Sequence, residues 1–300
     1  MKQNEFFKRE FCPLCGSKAF YRYLNTTDFF LSGKEFGLEK CNDCGLVFTN
    51  PIIEEAYIGN YYDSDQYFSH PNQERSPLKL LYDLIKKHNI KSKFKQINRY
   101  KQSGTLLDIG CGSGDFIKYG KDNGWEVSGI EPNEKARDFA AGLTGEKILK
   151  PEQADELPLA HFDVITMWHV LEHVEDLDKQ LNLINRLASR YAVLFIALPN
   201  YRAYDAIKYG KYWAAWDVPR HLYHFDKNTI QQLFLKYNFE LKVTYPMIWD
   251  AFYVSLLSEK YMKRSLPMIR AVVTGMKSNQ RAKNENNYSS LVYCFERKLT

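Results

Sequence analysis

The chain has 300 residues, 45% of them apolar and 26% charged, with a net charge of +5 at neutral pH. That balance is ordinary for a soluble globular protein, and the length suffices for a large core in one or two domains. The charge is mild and no dense basic run demands nucleic acid, no apolar run reaches the ~18 residues of a membrane span, and Met1 to Glu10 lacks a secretory signal pattern. A cytoplasmic location is therefore expected, with neither nucleic acid nor a membrane as partner. The 21 Tyr, 19 Phe and 5 Trp suit a deep pocket or a partner surface.

Cys12-Pro13-Leu14-Cys15 and Cys41-Asn42-Asp43-Cys44 form two matched C-x-x-C knuckles, each followed by a glycine. Two thiolates at this spacing can share one tetrahedral zinc, and two pairs close a four-cysteine shell. A redox C-x-x-C would not need a second copy. The closed shell points to a structural zinc held by Cys12, Cys15, Cys41 and Cys44 in a small module over residues 1–50. Phe20 to Leu24 reads as a strand inside it, and Leu46 to Pro51 as the strand leaving it. Residues 51–100 read as a linker. Asn60 to Phe68 is an aromatic and polar loop, a candidate lid, and Ser76 to Tyr100 a helix with apolar Leu78, Leu81, Tyr82, Ile85 and Ile97 and a solvated lysine face.

The main domain is expected from about 101 to 300. Leu106 to Phe116 reads as a short buried strand, a glycine turn and a helix start. Gly110, Gly112 and Gly114 let a ligand approach the backbone. Dinucleotides and S-adenosylmethionine both fit such a turn. The dinucleotide fingerprint needs a glycine where Asp115 stands, and a carboxylate there suits an ammonium better than a pyrophosphate. Asp108 points the same way. Trp125 to Ile130 is a second strand ending in Glu131, placed to accept hydrogen bonds from ribose hydroxyls of either ligand. Pro132 fits the first position of a helix running to about Ala141.

Lys147 to Lys150 reads as a third strand, Phe162 to Trp168 as a fourth and Ala192 to Leu198 as a central fifth. Trp168 and His169 end the fourth strand and should flank the cofactor, with Glu172 and His173 near the pocket. Asp176 to Ala188 is an amphipathic helix. Asn200 to Phe225, with Arg220, His221, Tyr223 and His224 between Trp216 and Phe225, is where substrate chemistry is expected. Asp226 caps a helix through Tyr237. Glu240 to Tyr245 and Leu291 to Arg297 are the last strands. A helical insertion occupies about 247–285, mainly Phe252 to Met276, with a polar loop over 277–290.

Leu106–Phe116, Gly129-Ile130-Glu131-Pro132, Leu157-Pro158 and Phe162–Val174 together resemble the class I (Rossmann-like) S-adenosylmethionine-dependent methyltransferases. With its cysteine module, the chain looks like the subgroup that includes deoxysugar C-methyltransferases. The resemblance implies an α/β fold: a seven-stranded, doubly wound, mostly parallel sheet with the four-cysteine zinc module at the N-terminus. It implies S-adenosylmethionine bound by Asp108, Gly110, Cys111, Gly112, Asp115, Glu131, Pro132, Gln153, Ala154, Trp168 and His169, with Gln153 and Ala154 at the adenine. In the sugar enzymes a His-Glu-His-Leu segment after strand five supplies polar catalytic groups. Here Pro219-Arg220-His221-Leu222 matches it, with arginine in place of the acid. His221 is expected as general base, Arg220 as the group orienting the acceptor, and His173, Tyr61 and Tyr62 as further pocket residues. The expected acceptor is a small molecule, a sugar nucleotide or another biosynthetic intermediate. A methyltransferase acting on nucleic acid or protein and a non-catalytic cofactor-binding module are the alternatives.

Overall fold

The computed structural model describes residues 5–62 and 77–298. Most of the loop expected at 60–68 falls outside them, as do the side chains of Leu78, Leu81, Tyr82 and Ile85. The N-terminal part runs through β1 (Phe6–Phe7), β2 (Phe20–Thr27), β3 (Glu35–Cys41), β4 (Val47–Thr49), β5 (Ile52–Ile53) and the short α1 (Glu55–Ile58). β2, β3 and β4 form an antiparallel ladder that carries the second cysteine knuckle in its β3–β4 turn. α2 (Pro77–Ile97) then leads into the main sheet.

There the chain alternates strand and helix: β6 (Thr105–Ile109), α3 (Asp115–Asp122), β7 (Glu126–Ile130), α4 (Glu134–Thr144), β8 (Ile148–Leu149), β9 (Phe162–Trp168), α5 (Leu177–Leu187) and β10 (Ala188–Pro199). It continues with α6 (Tyr204–Tyr209), β11 (Tyr223–His224), α7 (Lys227–Leu235), β12 (Phe239–Pro246), α8 (Asp250–Tyr261), α9 (Pro267–Glu285) and β13 (Ser290–Arg297). Seven of these strands make one sheet in the order β12-β13-β10-β9-β6-β7-β8, with only β13 reversed. This is the expected doubly wound, mostly parallel architecture. Its strand order reverses between β6 and β9, and in such a sheet ligands bind at the carboxyl ends at that point.

Local chemistry explains the elements. Residues 192–198 of β10 are all buried and apolar, as a strand covered on both faces requires. α5 starts because the Asp176 side chain accepts from the Lys179 N–H, and Leu177, Leu181, Ile184 and Leu187 recur at helical spacing on its inner face. Burying each such side chain is worth about 1.5–3 kcal/mol. α4 starts two residues later than expected, because Asn133 caps it by accepting from Ala136 N at 2.9 Å; Pro132 lies before the helix. The helix also outlasts Ala141 and stops at Gly145, whose φ is +70°. The polar loop expected from 277 is helix as far as Glu285. The buried side of that stretch is Ser278 and Ala282, small residues that leave no apolar signal.

The N-terminal sheet is completed from far along the chain. β11 pairs with β4 through Tyr223↔Phe48 and His224↔Val47, giving the order β11-β4-β3-β2. Thr49 adds to the joint: its N–H donates to Leu222 O at 3.0 Å and its Oγ to His221 O at 2.7 Å. The cysteine-bearing sheet is thus hydrogen-bonded to the segment that holds the expected catalytic residues.

Candidate functional site

The glycine turn follows β6 directly. Gly110, Gly112 and Gly114 have φ of +75°, +53° and +78°, values that favour glycine. A Cβ on Gly110 would fall 2.4 Å from Val170 Cγ2, whereas one on Gly112 would meet open space. The turn is therefore tight on its β9 side and open at its tip, a cradle for a ligand. Glu131 is turned into this cradle: Oε2 accepts from Gly112 N at 2.8 Å and Oε1 from Asn133 N at 2.9 Å. A carboxylate has about four acceptor sites, so capacity is left for hydroxyl donors. The Cys111 thiol is buried beside Gly129, and burial pushes its pKa up. Pro132 is exposed.

Asp108 is buried at the end of β6 and accepts from Thr166 Oγ at 2.5 Å; burial raises it to about 7. Asp115, at the first position of α3, holds an ammonium, that of Lys86 at 2.6 Å. Lys93 lies 4.0 Å over the Trp168 ring, and burial lowers it to about 8 against the opposing pull of Asp108 and Asp250. The lysine face of α2 is thus not simply solvated: Lys86 reaches Asp115 and Lys93 the Trp168 ring. The signal was present in the spacing. They are two helical turns apart, on the face that carries the buried Phe94 and Ile97. Gln153 and Ala154 occupy a 3-10 turn after β8, where Ala154 is buried and the Gln153 amide donates to Glu156.

Trp168 ends β9 with its indole N–H buried and, among the described residues, without a hydrogen-bond partner. His169 follows with a left-handed φ of +58°. Its Nε2 lies 3.2 Å from Asp250 Oδ2 and its Nδ1 3.4 Å from Glu172 Oε1. Burial alone would lower the imidazole, but these two carboxylates raise it to about 9. Asp250 begins α8, so the helical insertion closes over this end of the sheet.

A second cluster adjoins the first through Glu172. Glu172, His173 and His221 present side-chain ligand atoms that all lie within 4.8 Å of one another. The two imidazole rings stand edge to face with centroids 4.6 Å apart. Each Nδ1 faces a backbone carbonyl: His221 on Ala215 at 2.9 Å, His173 on Arg220 at 3.1 Å. A carbonyl only accepts, so each Nδ1 carries a proton, and in a neutral ring of this tautomer Nε2 is the acceptor. Burial and the neighbouring His221 push His173 down to about 4. The Tyr62 hydroxyl lies 3.1 Å from His173 Nδ1, while the Tyr61 hydroxyl turns away to Glu5. A carboxylate and two imidazoles this close together can take a proton, a donor group of a substrate or a cation. The adjoining cavity, of about 10 Å³, is lined by Trp213, Ala215 and Phe225 among others.

Arg220 sits beside this cluster but is fully engaged. Its guanidinium donates to Asp28 at 2.9 Å, to Asp217 at 2.6 Å and to Tyr61 O at 3.0 Å. Burial works against its charge, and the two carboxylates more than offset this. Asp217, whose carboxylate burial would raise, is held below the usual range by His221 and Arg220. His224 is buried, kept neutral by that burial, and contacts Thr49 Oγ at 3.2 Å.

The four cysteines of the N-terminal sheet meet at one point. Cys12 and Cys44 lie 3.5 Å apart, as do Cys15 and Cys41, and all four sulfurs are within 4.8 Å of one another. A tetrahedral zinc with bonds of ~2.3 Å places its sulfurs about 3.8 Å apart, so the donor set fits such an ion. The hydrogen bond from Cys44 lowers the Cys12 thiol to about 5.

A family model described as a methyltransferase domain matches residues 83–243, more than half of the chain and the whole glycine turn. The chain belongs to the class I S-adenosylmethionine-dependent methyltransferases. Among its relatives is the ubiquinone biosynthesis O-methyltransferase of Pelagibacter ubique, 29% identical over 140 residues that make up 43% of this chain and 56% of the relative. The Caulobacter vibrioides enzyme of the same name is 33% identical over 120 residues, 37% of this chain and 47% of that one. The chain thus spans about half the length of the curated relatives it matches. Two solved structures share the fold at 13% identity. Geranyl diphosphate C-methyltransferase from Streptomyces coelicolor has a TM-score of 0.52 over 81% of this chain and 97% of that one. Phosphoethanolamine N-methyltransferase 2 from Haemonchus contortus has 0.51 over 93% of this chain and 69% of that one. No helix among the described residues is long and apolar enough to cross a membrane.

Proposed function

We propose that this methyltransferase acts on a small-molecule acceptor, a sugar nucleotide or another biosynthetic intermediate, and that His221 removes the acceptor's proton. The observation that carries this reading is the facing trio of Glu172, His173 and His221, placed at the sheet end where the glycine turn opens. Burial and His221 hold His173 at about 4, far below neutral pH, so we assign the role to His221, whose Nδ1 is held by Ala215 O and whose Nε2 lies 3.9 Å from Asp217 Oδ2. Arg220 is a positioning residue: its carbonyl orients His173 and its guanidinium fixes Asp217 beside His221. The relatives named for ubiquinone biosynthesis O-methylation support a small acceptor.

S-adenosylmethionine, when bound, supplies an electrophilic methyl group. The residues we assign to its binding are those expected from the sequence, from Asp108 and the glycine turn through Glu131, Gln153 and Ala154 to Trp168 and His169, with Lys93 added. The four cysteines are assigned a structural zinc. The test is transfer of labelled methyl groups to a cell extract separated by size. Label in the small-molecule fraction is expected; label confined to nucleic acid or protein overturns the acceptor class. With the acceptor in hand, His221→Ala should lose at least ~100-fold in turnover while keeping cofactor affinity. A near wild-type rate would remove His221 as base.

A further inference from the structure

α9 reverses the usual arrangement of a surface helix. Its inward face is small: Ala271, Thr274, Gly275, Ser278 and Ala282 are buried. The approach to α8 is so close that a Cβ on Gly275 would fall 2.5 Å from Phe252 Cδ1. Ser278 fastens this face by donating to the buried Asp205 carboxylate at 2.6 Å. The large apolar residues point outward instead. Leu266, Met268, Ile269, Val272, Val273 and Met276 are 44–67% exposed. At about 100° per residue, those within the helix cover roughly 140° of its surface, and Arg270, Lys277 and Arg281 line one edge of that stripe.

The charge around the stripe decides what covers it. From Lys260 to Asn284 the sequence carries seven basic residues and no Asp or Glu. A second copy of the chain laid on this face would bring two such sets together, a like-charge contact that opposes association. An anionic lipid surface neutralises the same charges and accepts the apolar stripe, the combination by which a helix lies in a membrane interface. We propose that the exposed face of α9 docks this enzyme on an anionic lipid bilayer. That no helix among the described residues can cross a membrane is no obstacle, since a helix lying in the surface does not cross it. α9 packs on α8, whose first residue Asp250 reaches His169, so docking would hold the insertion that covers this end of the sheet against the bilayer. The proposal does not depend on the identity of the acceptor.

The experiment is co-sedimentation of the full chain with vesicles of phosphatidylcholine alone or with about three parts in ten of phosphatidylglycerol. At least tenfold stronger partition to the anionic vesicles is expected, weakening as salt is raised to ~1 M. Two exposed-face variants, Ile269→Asp with Val272→Asp and Arg270→Glu with Lys277→Glu, should each lose that preference while their circular dichroism and S-adenosylmethionine-induced thermal shift stay those of the wild type. Should the apolar variant fold poorly, the charge variant alone decides. Wild-type protein that stays in the supernatant, or charge variants that sediment equally well, overturn the proposal. So does a dimer in solution that the apolar substitutions dissociate, which would assign the face to a second copy.

Discussion

His169 Nε2 lies 3.2 Å from Asp250 Oδ2, joining the end of β9 to the first turn of α8. Burial would lower the His169 imidazole, but this contact together with that of Glu172 raises its pKa from the ordinary 6.5 to about 9. A group with a raised folded pKa contributes stability that is fully present below the unfolded value and lost as pH rises through the folded one. Thermal stability gained from this pair should therefore decline between about pH 6.5 and 9. Asp250→Asn removes the stronger of the two raising contacts, and its melting temperature should fall less over that window. Parallel curves for the two proteins would remove the pair from the balance.

Glu131 follows directly on β7 and accepts from the glycine turn at Gly112 N. Glu131→Ala should weaken S-adenosylmethionine binding by about 1–3 kcal/mol, the cost of losing charge-assisted hydrogen bonds. Calorimetry at constant pH reads this directly, and unchanged affinity would place the ribose elsewhere. Tight binding of NAD in its stead would overturn the cofactor assignment.

Arg220 and Asp28 are both buried, with side chains 1% and 0% exposed, and Asp217 completes the group. Arg220→Met would leave carboxylates without their counter-charge. Breaking a buried pair in this way costs about 3–5 kcal/mol, so denaturant unfolding should show a drop of that size. A variant as stable as the wild type, but slow with its acceptor, would return Arg220 to the acceptor contact expected from the sequence.

Protein prepared without chelator should contain about one zinc per chain, as four thiolates closing one tetrahedral shell require. Cys41→Ser should lower that content. Because β4 pairs with β11 and Thr49 donates to His221 O, the loss should also raise hydrogen exchange at residues 221–224. Elemental analysis and exchange mass spectrometry read the two effects separately. A folded, metal-free protein with intact thiols would end the zinc assignment.

Much of the sheet was legible in the sequence because buried parallel strands announce themselves as short apolar runs. β9 spans the expected Phe162–Trp168, and the turn after β6 carries its glycines at the positions of positive φ. What escaped reading lacked a local signal. The pairing of β11 with β4 joins two and three residues whose partners are set by tertiary position. The inner face of α9 is built from small and polar residues that hydropathy scores as loop. Arg220 reads as a free polar group until Asp28 and Asp217 are found around it, and Asp28 lies 192 residues away in sequence. Lys93 is the intermediate case. Its helical phase with Phe94 was visible, but the Trp168 ring that gives that phase a meaning was not.

Pairing across such a distance also bears on synthesis. β2, β3 and β4 leave the ribosome with β4 as an open edge, since Tyr223, the partner of Phe48, comes 175 residues later. At about 5–20 residues per second, that edge waits roughly 9–35 seconds for β11. An unpaired edge strand is a template for wrong partners. The nascent chain therefore passes through an interval in which its first sheet is complete except for the strand that closes it, and crowded polysomes, more than the finished enzyme, are where that sheet is exposed to misassembly.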